Sequence, residues 1–159
     1  MKKLVSFLVV FILLCSLPLS INAQGNNGTP STNTSSIVYN SDGSYMITTI
    51  ESSILSRATT QTITGRKNID LYNSSDELVW TYTIIGTFNV VMGSSAVCTN
   101  STYSYIIYDD DWSMTAHNNY YSANVAYGTA TFKRKVLFIT LNTCDVNAEL
   151  GCDVNGNLS

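Results

Sequence analysis

The chain has 159 residues, 45% of them hydrophobic and 12% charged, with 9 glycines, 2 prolines and a formal net charge of −3. That composition excludes a collagen-like repeat and a wholly disordered chain. The acidic balance works against a nucleic-acid partner, which demands basic patches.

The first predicted element is an export signal. Lys2 and Lys3 precede an apolar run from Leu4 to Leu14, Pro18 breaks it, and Ile21-Asn22-Ala23 ends on a small residue. This is the charged, apolar and cleavage-site order of a secretory leader over residues 1–23. The run is shorter than the roughly 20 apolar residues of a bilayer span. Cys15 sits behind Leu14, in the wrong setting for a lipoprotein anchor. With Lys2 and Lys3 removed, six basic residues face eleven acidic ones and the net charge is −5. A secreted product, extracellular or at the cell surface, is expected, with no membrane partner once the leader is gone.

Residues 24–36 read QGNNGTPSTNTSS and hold no large apolar side chain. They predict a flexible polar leader, because nothing there offsets the entropy of ordering. From Ile37 to the end at 159, apolar residues recur with period two, which predicts one β domain. Strands are expected at Tyr45–Glu51, Thr60–Tyr72, Leu78–Val90, Val97–Tyr108, Trp112–Ala116, Tyr121–Phe132, Lys135–Leu141 and Val146–Cys152. Asp42-Gly43 and Asn73-Ser74-Ser75-Asp76 supply turns. The Leu78–Val90 strand is the clearest. Leu78, Trp80, Tyr82, Ile84, Phe88 and Val90 share one face, while the other is mostly Thr and Asn. Its length predicts a bend or bulge near Gly86. Glu51–Arg57 is the sole short helical candidate. The expected fold is all-β, an antiparallel two-sheet sandwich of immunoglobulin-like outline, with a small β-barrel as the alternative.

Three cysteines remain after the leader: Cys98, Cys144 and Cys152. An odd count leaves one unpaired, and three pairings are open. An extended strand from Cys144 to Cys152 would separate those two by about 26 Å, beyond the ~7 Å that a disulfide bridges. A tight turn at Asn147–Leu150 would revive that pair. The expected disulfide is Cys98–Cys152, whose long loop stabilises the fold by about 4 kcal/mol in the chain-entropy treatment. With no CxxC and no cationic neighbour, a structural role is expected of it rather than a redox one.

Four stretches, DGSYMITTIE, LYNSSDELVWTYTIIGTF, SSAVCTNSTYSYIIYDDDW and CDVNGNLS, cover residues 42–159 in phrases. They resemble small secreted β-domain proteins of Gram-positive anaerobic bacteria. The resemblance implies the location and the mostly β architecture, with a cysteine in each of two matching segments, here Cys98 and Cys152. Cys144 departs from that pattern. The resemblance implies no activity.

No catalytic constellation is legible. His117 is the sole histidine and falls on a polar parity, so a solvent-facing residue is expected. GxSxG, HExxH and phosphate-loop motifs are missing. Asp109, Asp110 and Asp111 read as an acidic turn rather than a calcium site, which needs six to eight oxygens. Asp145 and Asp153 open calcium-loop-like phrases that lack the required glycine. Lys133-Arg134-Lys135 reads as a solvated turn. No enzyme, cofactor or metal is therefore expected. The ten tyrosines, among them Tyr103, Tyr105, Tyr120 and Tyr121, suit a recognition surface as well as they suit strands. The leading expectation is a non-enzymatic binding protein for an extracellular protein or glycan. The alternatives are a small extracellular hydrolase using carboxylates near Asp109 and a self-associating assembly subunit.

Overall fold

A computed structural model describes residues 31–54 and 59–159. The leader, the cleavage site, residues 24–30 and the end of the short helical candidate lie outside them. Eight strands form two antiparallel sheets, with no helix among the described residues. The larger sheet runs β1 (Ser31–Tyr39), β2 (Tyr45–Ile54), β3 (Thr60–Tyr72), β4 (Leu78–Val91) and β5 (Ser95–Ile107) in sequential order. The smaller runs β6 (Trp112–Ser122), β7 (Val125–Val136) and β8 (Ile139–Gly151), also sequentially. No ladder joins the two, so the sheets stack as a sandwich and do not close into a barrel. Within that outline each sheet is a simple meander.

The even face of β4 is the centre of the core. Trp80, Tyr82, Ile84, Phe88 and Val90 are fully buried. Facing them, the smaller sheet presents small residues at Ala126, Gly128, Ala130 and Ala148, with Trp112, Phe132, Val146 and Leu150 as the larger exceptions. Trp80 stacks on Phe132 at 4.2 Å between ring centroids, 7° from parallel, and meets Trp112 edge-on at 6.5 Å. Gly128 is required by this fit. A Cβ there would stand 2.6 Å from Tyr82 Oη and 2.7 Å from Ile84 Cδ1. The outer face of the larger sheet is a polar ladder, in which Thr81 donates to Asp70 at 2.6 Å and Thr83 to Asn68 at 2.8 Å.

Several boundaries differ from expectation. β1 begins at Ser31, inside the stretch expected to be a flexible leader. Its ladder to β2 is main-chain pairing, which small polar residues can sustain without burying an apolar face. The first residues of the short helical candidate, Glu51–Ile54, belong to β2. The β4 ladders are irregular at Val79, opposite Leu71/Tyr72 of β3, and at Thr87/Phe88, so the second lies beside Gly86. Strand β6 continues through His117 to Ser122 and turns at Ala123-Asn124. The strand expected at Lys135–Leu141 is instead a hairpin, because Val136 pairs with Ile139 and Leu137-Phe138 is the two-residue turn. Such turns are ordinarily marked by Asn-Gly or Asp-Gly, and Leu-Phe carries no such mark.

Tyr82 tests the core. Its hydroxyl is buried with no hydrogen-bond partner, and burial pushes its pKa up to about 12. Tyr82→Phe removes an unsatisfied group, so urea melts should show stability unchanged or raised. The unfolded tyrosine titrates near about 10, so the parent loses stability as pH rises from about 10 toward 12, because the folded form retains the proton. The Tyr82→Phe chain should lose measurably less over that window. Phe132→Ala, which opens the inter-sheet stack, should cost about 3–5 kcal/mol in the same melts.

Candidate functional site

The meander places the β1–β2, β3–β4, β5–β6 and β7–β8 connections at one end of the sandwich. They surround a cleft of about 510 Å³. Asn40, Ser41, Asp42 and Ser44 form one wall, Asn73 and Ser74 a second, and Arg134, Asn142, Thr143 and Cys144 a third. Leu71, Val79 and the nearly buried Trp112 also line it, and Asp109 sits at its margin.

The walls are fixed by local turn chemistry. Gly43 adopts φ +83°, the left-handed region that favours glycine, and a Cβ there would press on Ser74 at 3.2 Å. The first two walls therefore touch. Ser44 donates to Asp42 Oδ1 through both its amide, at 3.0 Å, and its hydroxyl, at 2.6 Å. These bonds hold the Asp42 carboxyl below its ordinary pKa. Asn73 Oδ1 accepts from the amides of Ser75 and Glu77. Asp109 Oδ1 accepts the amide of Asp111, whose own carboxylate meets Arg134 at 3.3 Å. Arg134 Nε is buried without a partner among the described residues. No side-chain hydrogen bond among them occupies Asn142 or Thr143.

The cleft is therefore an array of amides, hydroxyls, a carboxylate and a guanidinium over an apolar base. It can hold a ligand rich in hydroxyl groups. Nucleophilic chemistry finds less support. Burial and the Asp145 charge push the Cys144 thiol up, away from the reactive thiolate. His117 is exposed on β6, packed on Tyr103 at 4.4 Å between centroids, and does not line the cleft.

The other sequence candidates scatter. Glu77, a carboxylate the sequence did not single out, accepts from Asn73 Nδ2 at 2.8 Å and lies outside the cleft lining. Asp153 is consumed by its own loop, accepting the amides of Asn155 and Asn157 at 2.8 Å. Asp145 accepts from Thr131 at 2.7 Å. Among the described residues no three His, Cys, Asp or Glu side chains gather to hold a metal ion. Tyr105, Tyr120 and Tyr121 are about half exposed but form no shared platform, since Tyr120 stacks on Tyr127 while Tyr105 meets Phe132. The sequence reading missed Arg134, Asn142 and Thr143. One signal was available: Arg134 continues the inward parity of Ala126, Gly128, Ala130 and Phe132, and a charge on a core parity marks a cavity or an interface.

At the opposite end, Cys98 and Cys152 are buried and carry free thiols, as does Cys144. β8 runs without a turn through Asn147–Leu150, which keeps Cys144 and Cys152 at separate places along it. Cys98 and Cys152 converge instead. The Cys98 amide donates to Ala123 O at 2.8 Å, and the Cys152 amide donates to the next carbonyl, Asn124 O, at 3.0 Å. Burial pushes the Cys152 thiol up to about 11, aided by Asp153 and Cys98, and raises Cys98 as well.

No protein-family model, curated protein or solved structure gives a significant match to this chain.

The thiol environment has a direct readout. In the reduced, folded chain at neutral pH, Cys98 and Cys152 should alkylate at least about tenfold more slowly than in denaturant, because they are buried and protonated. Mass-resolved labelling over time checks this, and equal rates in both states would contradict the burial.

Proposed function

We propose that this protein is an exported, non-enzymatic binding module whose end cleft takes a glycan. The observation that carries the reading is the cleft's polar wall, with Asn142, Thr143 and Arg134 Nε left uncommitted beside Trp112. Sugar hydroxyls need many short-range donors and acceptors, and a pyranose face needs an apolar surface; the lining supplies both. The export signal in the sequence supports an extracellular setting. The hydrolase alternative would need facing carboxylates with one proton held near neutrality. Asp42, the cleft carboxylate bonded by Ser44, is displaced the opposite way.

In an oxidising compartment the Cys98 and Cys152 thiols join. They lose two protons, and two electrons pass to the disulfide of a thiol oxidant. The convergence of both cysteines on Ala123-Asn124 supports that pairing. The secreted product should weigh less than the reduced chain by two hydrogen atoms. A peptide map should place the bond at 98–152 and leave Cys144 free.

The glycan reading is tested by titrating soluble polysaccharides and cell-wall fragments while following amide chemical shifts. Shifts should cluster on Asn40–Ser44, Asn73–Ser74 and Asn142–Thr143. Asn142→Ala should weaken binding by about tenfold, the scale of one lost hydrogen bond of 1–1.5 kcal/mol, without lowering Tm. A panel that moves none of these amides sinks the proposal, and release of free sugar would favour the hydrolase.

A further inference from the structure

The charges at the cleft end are unequal in number and in commitment. Asp42, Asp109 and Arg134 are the charged residues of the cleft lining. Arg134 meets Asp111 at 3.3 Å, so its positive charge is matched within the chain. Lys133 and Lys135 are its sequence neighbours, but they stand on the outward parity of β7 and do not line the cleft. Counted whole, this end carries Asp42, Asp76, Glu77, Asp109, Asp110 and Asp111 against Lys133, Arg134 and Lys135. Carboxylates outnumber cations there even with both lysines included, and the whole chain is at −3.

The two carboxylates of the lining keep acceptor capacity. Asp42 Oδ1 takes both bonds from Ser44, and Oδ2 takes none among the described residues. The Ser44 bonds hold the carboxyl below its ordinary pKa, so it stays charged at neutral pH. Asp109 accepts the Asp111 amide at 3.0 Å on Oδ1 alone. An ionised carboxylate has about four lone-pair sites, so each of the two can also accept from a ligand. Around them the walls are neutral amides and hydroxyls, over the apolar base of Leu71, Val79 and Trp112. Such a lining repels an anionic sugar and complements a cationic one.

We propose that the cleft selects a glycan bearing free amino groups, with its ammonium groups on Asp42 and Asp109 and its hydroxyls on the amide walls. This inference rests on the glycan reading and adds a charge class: amino sugars over neutral ones, and neutral ones over uronic acids. Hydrogen bonds with an ionised partner are about twice as strong as neutral ones. Ser44 already orders Asp42, so less entropy is lost when the ligand meets it. A lysine side chain brings the same charge without the hydroxyls that Asn40, Asn142 and Thr143 suit, which makes a basic peptide the poorer occupant.

The test is calorimetric titration of the full chain at about pH 5.5, above the aspartate range of about 3.9. The probes are a fully N-acetylated glucosamine tetramer, its de-N-acetylated counterpart, a galacturonate tetramer and tetralysine. The de-N-acetylated tetramer should bind at least about tenfold more tightly than the acetylated one, and added salt should erode that preference. The galacturonate tetramer should bind most weakly of the sugars. Asp42→Asn keeps the turn, since asparagine also accepts from Ser44, and should cut the amino-over-acetyl preference by about tenfold. Asp109→Asn should reduce it as well. Glu149→Gln removes the same charge from the outward parity of β8, outside the cleft lining, and should leave the preference in place. Equal affinity for the two glucosamine tetramers overturns this inference and leaves the glycan reading standing. Failure of every sugar to bind overturns both. Tetralysine binding as tightly as the de-N-acetylated tetramer overturns the inference in favour of a basic peptide. A preference that falls as far in Glu149→Gln as in Asp42→Asn overturns it in favour of net charge alone.

Discussion

The sandwich depends on one contact across its middle, the face-to-face stack of Trp80 on Phe132. The two sheets share no strand ladder, so side chains and end loops alone unite them. Division of labour makes the contact work. β4 supplies the large residues, and the smaller sheet supplies gaps at Ala126, Gly128, Ala130 and Ala148. Interiors pack at crystal-like density, so large side chains on one face need small ones opposite. A few polar ties add to the apolar seam. Lys67 Nζ donates to Glu149 O at 2.6 Å, and Asn119 Nδ2 to Ser101 O at 2.6 Å. The cost of this tight fit is visible in Trp80 Nε1 and Tyr82 Oη, both buried without partners.

The two ends of the sandwich then differ in kind. At one end the chain seals itself. Gly93 donates to Val154 O at 2.8 Å, Cys152 bridges to Leu158, and Cys98 and Cys152 both anchor the Ala123-Asn124 turn. A disulfide there would fix the terminus of each sheet to the other without touching the cleft. The far end is built from turns, which present polar groups outward and can vary without disturbing the stack. The uncommitted Arg134, Asn142 and Thr143 stand on β7 and β8 beside those turns, so the cleft combines rigid strand residues with turn residues.

How much of this was legible in the sequence follows from what each element relies on. β4 alternates largely between apolar and polar, β3 follows it more loosely between clear turns, and their spans are readable almost to the residue. β1 relies on main-chain pairing to β2, which leaves little trace in side-chain pattern, and so its first residues read as leader. The last third misled because its turns lack turn residues. Ala123 and Leu137-Phe138 all take positive φ, yet none is Gly or Asn. In the candidate site, Asp109 was singled out for its neighbours, and the cleft does include it. Arg134, Asn142 and Thr143 are brought beside it by the β6–β7–β8 ladders, in which Trp112 pairs with Arg134 and Arg134 with Asn142, a register that no local pattern encodes. Cys98 and Cys152 show the converse. The extended length of β8 separates Cys144 from Cys152, and the fold sets the amides of Cys98 and Cys152 on adjacent carbonyls with both thiols free.

The two strained turns of the smaller sheet deserve to be set against each other. Ala123, at φ +52°, sits where its carbonyl accepts from Cys98 and its neighbour Asn124 accepts from Cys152. Those bonds tie the turn to two buried cysteines and offset the strain within the chain itself. Leu137 and Phe138 have no such compensation. Among the described residues, no main-chain bond from outside the hairpin reaches them, and their side chains touch water. Left-handed conformation costs about 1–2 kcal/mol for each non-glycine residue, and exposure of large apolar groups adds an aggregation hazard.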